Sequence, residues 1–262
     1  MHPRIRRLLE RVARGKTIWR RLPVPFSKAR VLVTPDAALS YLRTGDDWCD
    51  RELLDTVARQ VRTGDVVWDV GANVGVFGAA AAVKSGAAGS VLCVEPDTML
   101  AQLIRATSSR LPDGCAKLEV LAAAVADQSG VAEFHIAERG RASNALAAHS
   151  GQSQAGGVRE RQLVPVVTLD HLLDVSRPPD FVKIDVEGAE SVILAGASRL
   201  LEAVRPSIYI EVRTHNAATV TGYFERASYV LFDPAKPIAG QAPLPACQWN
   251  TLAIAAEKVS SG

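Results

Sequence analysis

The chain has 262 residues, 48% of them hydrophobic and 22% charged, with a formal net charge of +2. That is enough for one sizeable α/β domain with a decorated edge, too apolar for a disordered protein, and too nearly neutral to demand a nucleic-acid partner. Its four cysteines, Cys49, Cys93, Cys115 and Cys247, form no CxxC pair and have no histidine at zinc-ligand spacing, which argues against a structural zinc site or a disulfide framework.

Basic residues crowd the start, where Arg4, Arg6, Arg7, Arg11, Arg14, Lys16, Arg20 and Arg21 face only Glu10. Ile5, Leu8, Leu9, Val12 and Ile18 recur at roughly helical spacing, so an amphipathic helix is predicted over 3–19. It would cap the domain or dock on a partner subunit, and its basic face leaves contact with an anionic membrane surface open. Leu22-Pro23-Val24-Pro25 breaks that helix. Residues 22–27 therefore read as a linker, and the chain divides into a basic N-terminal helix and linker, 1–27, and one main domain, 28–262. No stretch has the apolar length of a secretory signal or a transmembrane helix, so a cytoplasmic location is expected.

A short extended piece near Val31–Val33 precedes a helix over Asp50–Val61, whose stripe is Leu53, Leu54, Val57 and Val61. Strands and helices then alternate: strand Val66–Val70, helix Val74–Lys84, strand Val91–Val94, helix Thr98–Ser109, strand Leu118–Leu121. Alternation of this kind predicts a parallel sheet covered by helices on both faces. Gly130–His135 and Leu163–Val167 read as strands around the Gly-, Ser- and Gln-rich stretch Gly140–Gly157, a flexible loop that is either a surface insertion or a lid over the site. The sheet resumes with strand Phe181–Asp185, a helix from Ala189 towards Arg199, strand Ser207–Val212, helix Ala217–Ala227, strand Tyr229–Phe232 and a final strand Trp249–Ala256.

The first strand of the alternation runs into a glycine turn and a helix, Asp69-Val70-Gly71-Ala72-Asn73-Val74-Gly75. Gly71 permits a backbone conformation closed to other residues, and Gly75 lets the helix start lie against a ligand. Dinucleotide enzymes carry GxGxxG at this turn, whereas Asn73 stands at the second glycine, so a pyrophosphate fits less well than a nucleoside with an amino-acid tail. Asp69 could hold that tail's ammonium through water. Glu95, ending the next strand, can accept hydrogen bonds from both hydroxyls of a ribose. The small residues from Ala123, including Ala124, make room for an adenine, and Asp127 could accept a bond from its amino group.

On these residues, together with Glu95-Pro96, Thr168-Leu169-Asp170, Lys183-Ile184-Asp185-Val186-Glu187-Gly188-Ala189-Glu190 and Glu211, the chain resembles the FkbM-type methyltransferases. The resemblance covers roughly residues 45–255. It implies a class I methyltransferase domain, Rossmann-like, with a seven-stranded, mostly parallel sheet whose last strand is antiparallel. It further implies S-adenosylmethionine as cofactor and methylation of a hydroxyl on a sugar or natural product. Two departures stand out: Ala106-Thr107-Ser108 replaces an asparagine-rich helix end, and the 140–157 loop has no obvious counterpart.

Lys183, Asp185 and Glu187 share one parity, so an extended strand would turn them to one side at its C-terminal end, where α/β sheets bind ligands. Asp185 or Glu187 is the candidate base, with Lys183 orienting the acceptor. Glu211, at the next strand end, could bind an acceptor hydroxyl or complete a carboxylate cluster. Such a cluster could hold magnesium, but no metal site is predicted. A small hydroxylated acceptor is favoured over nucleic acid, because only 5% of the chain is aromatic and base-stacking platforms would be scarce. Two rival readings are a non-catalytic S-adenosylmethionine- or nucleotide-binding adaptor acting through the basic N-terminal helix, and an NAD-dependent oxidoreductase. Asn73 and the lack of a Tyr-x-x-x-Lys pair disfavour the second.

Overall fold

A computed structural model describes residues 12–138, 141, 144–146 and 157–259. In chain order its elements are β1 (Ile18–Arg21), β2 (Arg30–Val33), α1 (Arg51–Gln60), β3 (Val66–Val70), α2 (Val76–Ser85), β4 (Ser90–Val94), α3 (Thr98–Ser108) and β5 (Lys117–Leu121). Then come β6 (Ala124–Val125), β7 (Gly130–Ala137), β8 (Ala145–Leu146), β9 (Val158–Val167), α4 (Leu169–Val175), β10 (Phe181–Ile184), α5 (Glu190–Ala195), β11 (Ser207–Glu211), α6 (Ala217–Arg226), β12 (Tyr229–Phe232) and β13 (Asn250–Ala255).

Seven strands make the central sheet in the order β12-β13-β11-β10-β3-β4-β5, parallel except for β13, which runs antiparallel to both neighbours. The alternation predicts its parallel part, and the seven strands with one antiparallel are what the resemblance implies. β3 lies inside the sheet between β10 and β4 and all five of its residues are buried, which explains why the strand reads as an apolar run interrupted only by Asp69. Val67, Phe181 and Tyr209 pack on one face against Phe77 of α2, and Trp68, Ile184 and Ile210 pack on the other. The fully buried Ala79–Ala82 let α2 lie close on the sheet.

Two expectations fail at the N-terminus, one of them only in part. The helix predicted over 3–19 lies mostly outside the described residues, but its last residues, Ile18 and Trp19, belong to β1, which pairs antiparallel with β2. Residues 22–27 connect that hairpin and are not a linker: Leu22 and Phe26 are buried in the main core. The prolines follow a strand and end no helix, and apolar residues beside them anchor the turn. Leu32 N–H donates to Thr107 Oγ1 at 2.9 Å, tying the hairpin to α3.

Strands of the 124–167 region form a second sheet, β6-β9-β7-β8. β9 starts at Val158, earlier than predicted, and pairs antiparallel with β7 along its length. The described part of the 140–157 segment adds β8 to the edge of β7, so this stretch includes built structure as well as loop.

Candidate active site

Three adjoining cavities open at the C-terminal ends of β3, β10 and β11, and Asp185 lines all three. The first is a cleft between the β3 turn and the second sheet, walled by Gly71, Asn73, Glu95, Ala124, Phe134 and Arg141 among others. The second, of about 360 Å³, lies towards the N-terminal segment between Tyr41, Trp48, Asp50 and Phe77 on one side and Lys183 and Asp185 on the other. The third, small one lies beyond Asp185 between Glu187, Glu190, Glu211, Arg213 and Trp249.

The turn after β3 shapes the cleft. A Cβ on Gly71, whose φ is +73°, would lie 1.9 Å from the Asp185 carbonyl oxygen, so the turn can pass the β10 end only as glycine. Asn73 adopts φ 53°, the left-handed conformation that asparagine tolerates better than most residues, which is how it replaces a glycine. Its buried Oδ1 has no hydrogen-bond partner among the described residues. Gly75 serves packing instead of ligand contact: a Cβ there would meet Ile104 of α3 at 3.1 Å, and the residue does not line the cleft.

Glu95 sits at the end of β4 with its carboxylate on the cleft wall. Oε2 accepts Asn73 N–H at 2.8 Å and Oε1 accepts Asp97 N–H at 2.9 Å. Burial pushes its pKa up to about 8, against the backbone hydrogen bonds from Asp97 and Asn73, which lower it. Ala124 lines the cleft as expected, whereas Asp127 is exposed and outside it, because the chain has turned away at the end of β6. Asp69 is also displaced from its expected role. It is fully buried behind the cleft, paired across β3 and β10 with Lys183, and its Oδ2 accepts Gly78 N–H at 3.0 Å, leaving no carboxylate oxygen free for a ligand.

Lys183 is buried, and its Nζ lies 2.9 Å from Gly71 O, 3.1 Å from Asp69 Oδ1 and 3.3 Å from Asp185 Oδ2. Burial works against the ammonium, but Asp69 and Asp185 outweigh it and hold its pKa above the ordinary lysine value. With its donors so engaged, Lys183 places Asp185 and does not reach for an acceptor. Glu187 does not join them on one side. β10 ends at Ile184 and the chain turns at Gly188, φ +87°, so strand parity stops applying and the Glu187 carboxylate pairs with Arg213. Glu211 lies near Asp185 on the sheet's C-terminal edge, its pKa pushed up to about 7 by burial and by the charge of Asp185.

The strap of the second sheet escaped the sequence reading. Asn144 Nδ2 donates to Asp97 Oδ2 at 2.9 Å, Arg141 pairs with both Asp97 and Asp36, and Arg159 makes two 3.0 Å bonds to Asp36. Burial opposes the Asp36 charge, but Arg159 and Arg141 hold its carboxyl below the usual range. A lone arginine inside a Gly- and Ser-rich stretch gives no local signal of this. Tyr41, Trp48 and Asp50 were missed as cavity residues for the same reason: the first two precede the predicted helix and Asp50 begins it, without any motif.

A model of the Methyltransferase FkbM domain matches residues 69–231, more than half of the chain. The chain belongs to the FkbM methyltransferase family. The glycine turn, Glu95 and the β10 end all fall inside the matched region. Among solved structures it is similar to methyltransferase FkbM from Methylobacillus flagellatus KT, at 17% identity and TM-score 0.49, covering 72% of this chain and 43% of that one. It is also similar to precorrin-6y C5,15-methyltransferase from Geobacter metallireducens GS-15, at 12% identity and TM-score 0.45, covering 81% and 89%. A third is a SAM-dependent O-methyltransferase from Thermotoga maritima, at 13% identity and TM-score 0.44, covering 86% and 73%. The chain thus spans less than half the length of the Methylobacillus protein. No curated protein matches the sequence.

The cleft's residues fit a nucleoside cofactor: the Glu95 carboxylate would face its ribose, Asn73 Oδ1, without a partner among the described residues, would accept beside it, and Ala124, Phe134 and Leu146 would flank a purine. Among the described residues no group of three or more His, Cys, Asp or Glu side chains is placed to hold a metal ion, and no helix is long and apolar enough to cross a membrane.

Proposed function

We propose that this FkbM methyltransferase transfers a methyl group to a hydroxyl of a small sugar-like or natural-product acceptor, with Asp185 as the base. The position of Asp185 carries this reading, since it is the residue common to the cofactor cleft and to the two cavities beyond it. S-adenosylmethionine, when bound, supplies a methyl group already activated on a sulfonium. The chain's residues then have to orient the acceptor and take up its proton.

Orientation is the larger contribution, worth roughly 7–11 kcal/mol in favourable cases. The second cavity supports it: Tyr41, Trp48 and Phe77 give a rigid apolar wall opposite the Asp185 carboxylate. A volume of about 360 Å³ suits one small ring and no polymer. Asp185, held by Lys183, then accepts the hydroxyl proton. Glu187 is the weaker candidate because it does not line the second cavity.

The test is transfer of a labelled methyl group from S-adenosylmethionine to a panel of free sugars, polyols, polyketide alcohols, RNA and protein. Label in one of the small hydroxyl compounds is expected. Label only in RNA or protein would overturn the assignment.

A further inference from the structure

The wall that faces Asp185 across the second cavity carries a buried hydroxyl without a partner. Tyr41 lines this cavity from the single helical turn Leu39–Leu42, and it is only 8% exposed. The turn is closed by Tyr41 N–H donating to Ala38 O at 3.2 Å and Arg43 N–H donating to Ser40 O at 2.9 Å. The Tyr41 ring packs against Trp48, centroid to centroid 6.0 Å. Trp48 is itself fully buried, with the Arg20 guanidinium of β1 over its ring at 5.2 Å and Arg20 also donating to Gly45 O at 3.3 Å. The ring of Tyr41 is therefore fixed by packing, yet its hydroxyl makes no hydrogen bond among the described residues. Tyr41 and Trp48 both lie ahead of residues 69–231, so the family match assigns them no role.

What stands across the cavity gives that hydroxyl its meaning. Lys183 Nζ is held by Gly71 O, Asp69 and Asp185, and the Asp185 carboxylate is the acceptor on that side. Burial holds the Tyr41 phenol above its ordinary pKa, so near neutral pH it remains an O–H donor. Arg43, Asp47 and Asp50 line the same wall but are exposed, where water satisfies them. The cavity thus offers a proton acceptor on one side and a buried donor on the other, about 360 Å³ between them. A buried donor left unmade is costly, and a site built around one rejects occupants that have no oxygen to place there. A ring with a single hydroxyl, turned to Asp185, would leave Tyr41 facing C–H groups.

We infer that the acceptor is a polyhydroxylated ring that spans the second cavity, giving one hydroxyl to Asp185 and accepting from Tyr41 at the oxygen of another, so that Tyr41 selects polyols over mono-alcohols. The inference rests on the proposed acceptor site at Asp185.

The test uses the full chain saturated with S-adenosylhomocysteine and two probes of one ring size, myo-inositol and cyclohexanol, with binding followed by ligand-observed NMR titration. Tyr41→Phe is expected to weaken myo-inositol at least tenfold while leaving cyclohexanol within about threefold of the parent. Its affinity for S-adenosylhomocysteine should be unchanged, which also reports that the variant is folded. No binding of myo-inositol to the parent, undiminished binding in Tyr41→Phe, or an equal loss for cyclohexanol would each overturn the inference, the last because it would trace the effect to packing of the wall. Whether Asp185 takes the proton is decided separately by methyl transfer in Asp185→Asn, so failure of that reading and failure of this one are told apart.

Discussion

Asp185→Asn is expected to lower the rate of methyl transfer by about 10² to 10⁴, the usual worth of a positioned general base. Its affinity for S-adenosylhomocysteine should stay within about threefold of the parent, because the change touches the transition state and not the cofactor's ribose. Asparagine keeps the shape of the side chain, and Lys183 keeps Asp69 Oδ1 at 3.1 Å and Gly71 O at 2.9 Å, so the local fold survives. Glu187→Gln is the comparison. Its carboxylate is paired with Arg213, and most of the transfer activity should remain. Single-turnover transfer and calorimetric titration of the same preparations separate the two readouts. Full activity in Asp185→Asn would remove Asp185 from the chemistry.

Lys183→Met is expected to cost about 3–5 kcal/mol of stability, the penalty for leaving a buried carboxylate without its partner. Asp69 is fully buried, and burial already holds its carboxyl above the usual range even with Lys183 beside it. The ion pair therefore barely offsets its own desolvation, yet losing one half of it is expensive. For a chain of this size each kcal/mol shifts Tm by roughly 2–4 °C, so a fall on the order of 10 °C is expected in a thermal melt near neutral pH. Asp69→Asn in the Lys183→Met background should recover part of the loss, since the stranded charge is then removed. An unchanged Tm in Lys183→Met would show that the pair is not what braces the β3 and β10 ends.

The central sheet was legible in the sequence because its signals are local and periodic: buried parallel strands read as apolar runs, and each turns into a helix at a polar strand end. For the same reason Gly71, Asn73, Glu95 and Ala124 could be placed on the cleft from sequence alone. What failed depended on where strand geometry stops. Glu187 shares parity with Lys183 and Asp185, but β10 ends at Ile184, and beyond it the chain turns and hands Glu187 to Arg213. Asp69 reads as a ligand-binding acid at a strand end; only the register of Lys183 against it shows that its charge is spent inside. The N-terminal hairpin was hidden by prolines that usually mark a linker, although Leu22 and Phe26 beside them are core residues. Arg141 and Arg159 reach Asp36 across more than a hundred residues of sequence, a separation no local pattern reports.

The cofactor cleft is the part on which everything else depends, and its most direct test is calorimetric titration of the full chain with S-adenosylhomocysteine, and with NAD in parallel, for the parent and for Glu95→Gln. Titrated above pH 8, where the Glu95 carboxyl is ionised, the cleft predicts one S-adenosylhomocysteine bound per chain, no binding of NAD, and a loss of roughly 100-fold in affinity for Glu95→Gln, as expected when a carboxylate accepting from a ribose loses its charge-assisted hydrogen bonds. Binding of NAD, or undiminished S-adenosylhomocysteine affinity in Glu95→Gln, would contradict it.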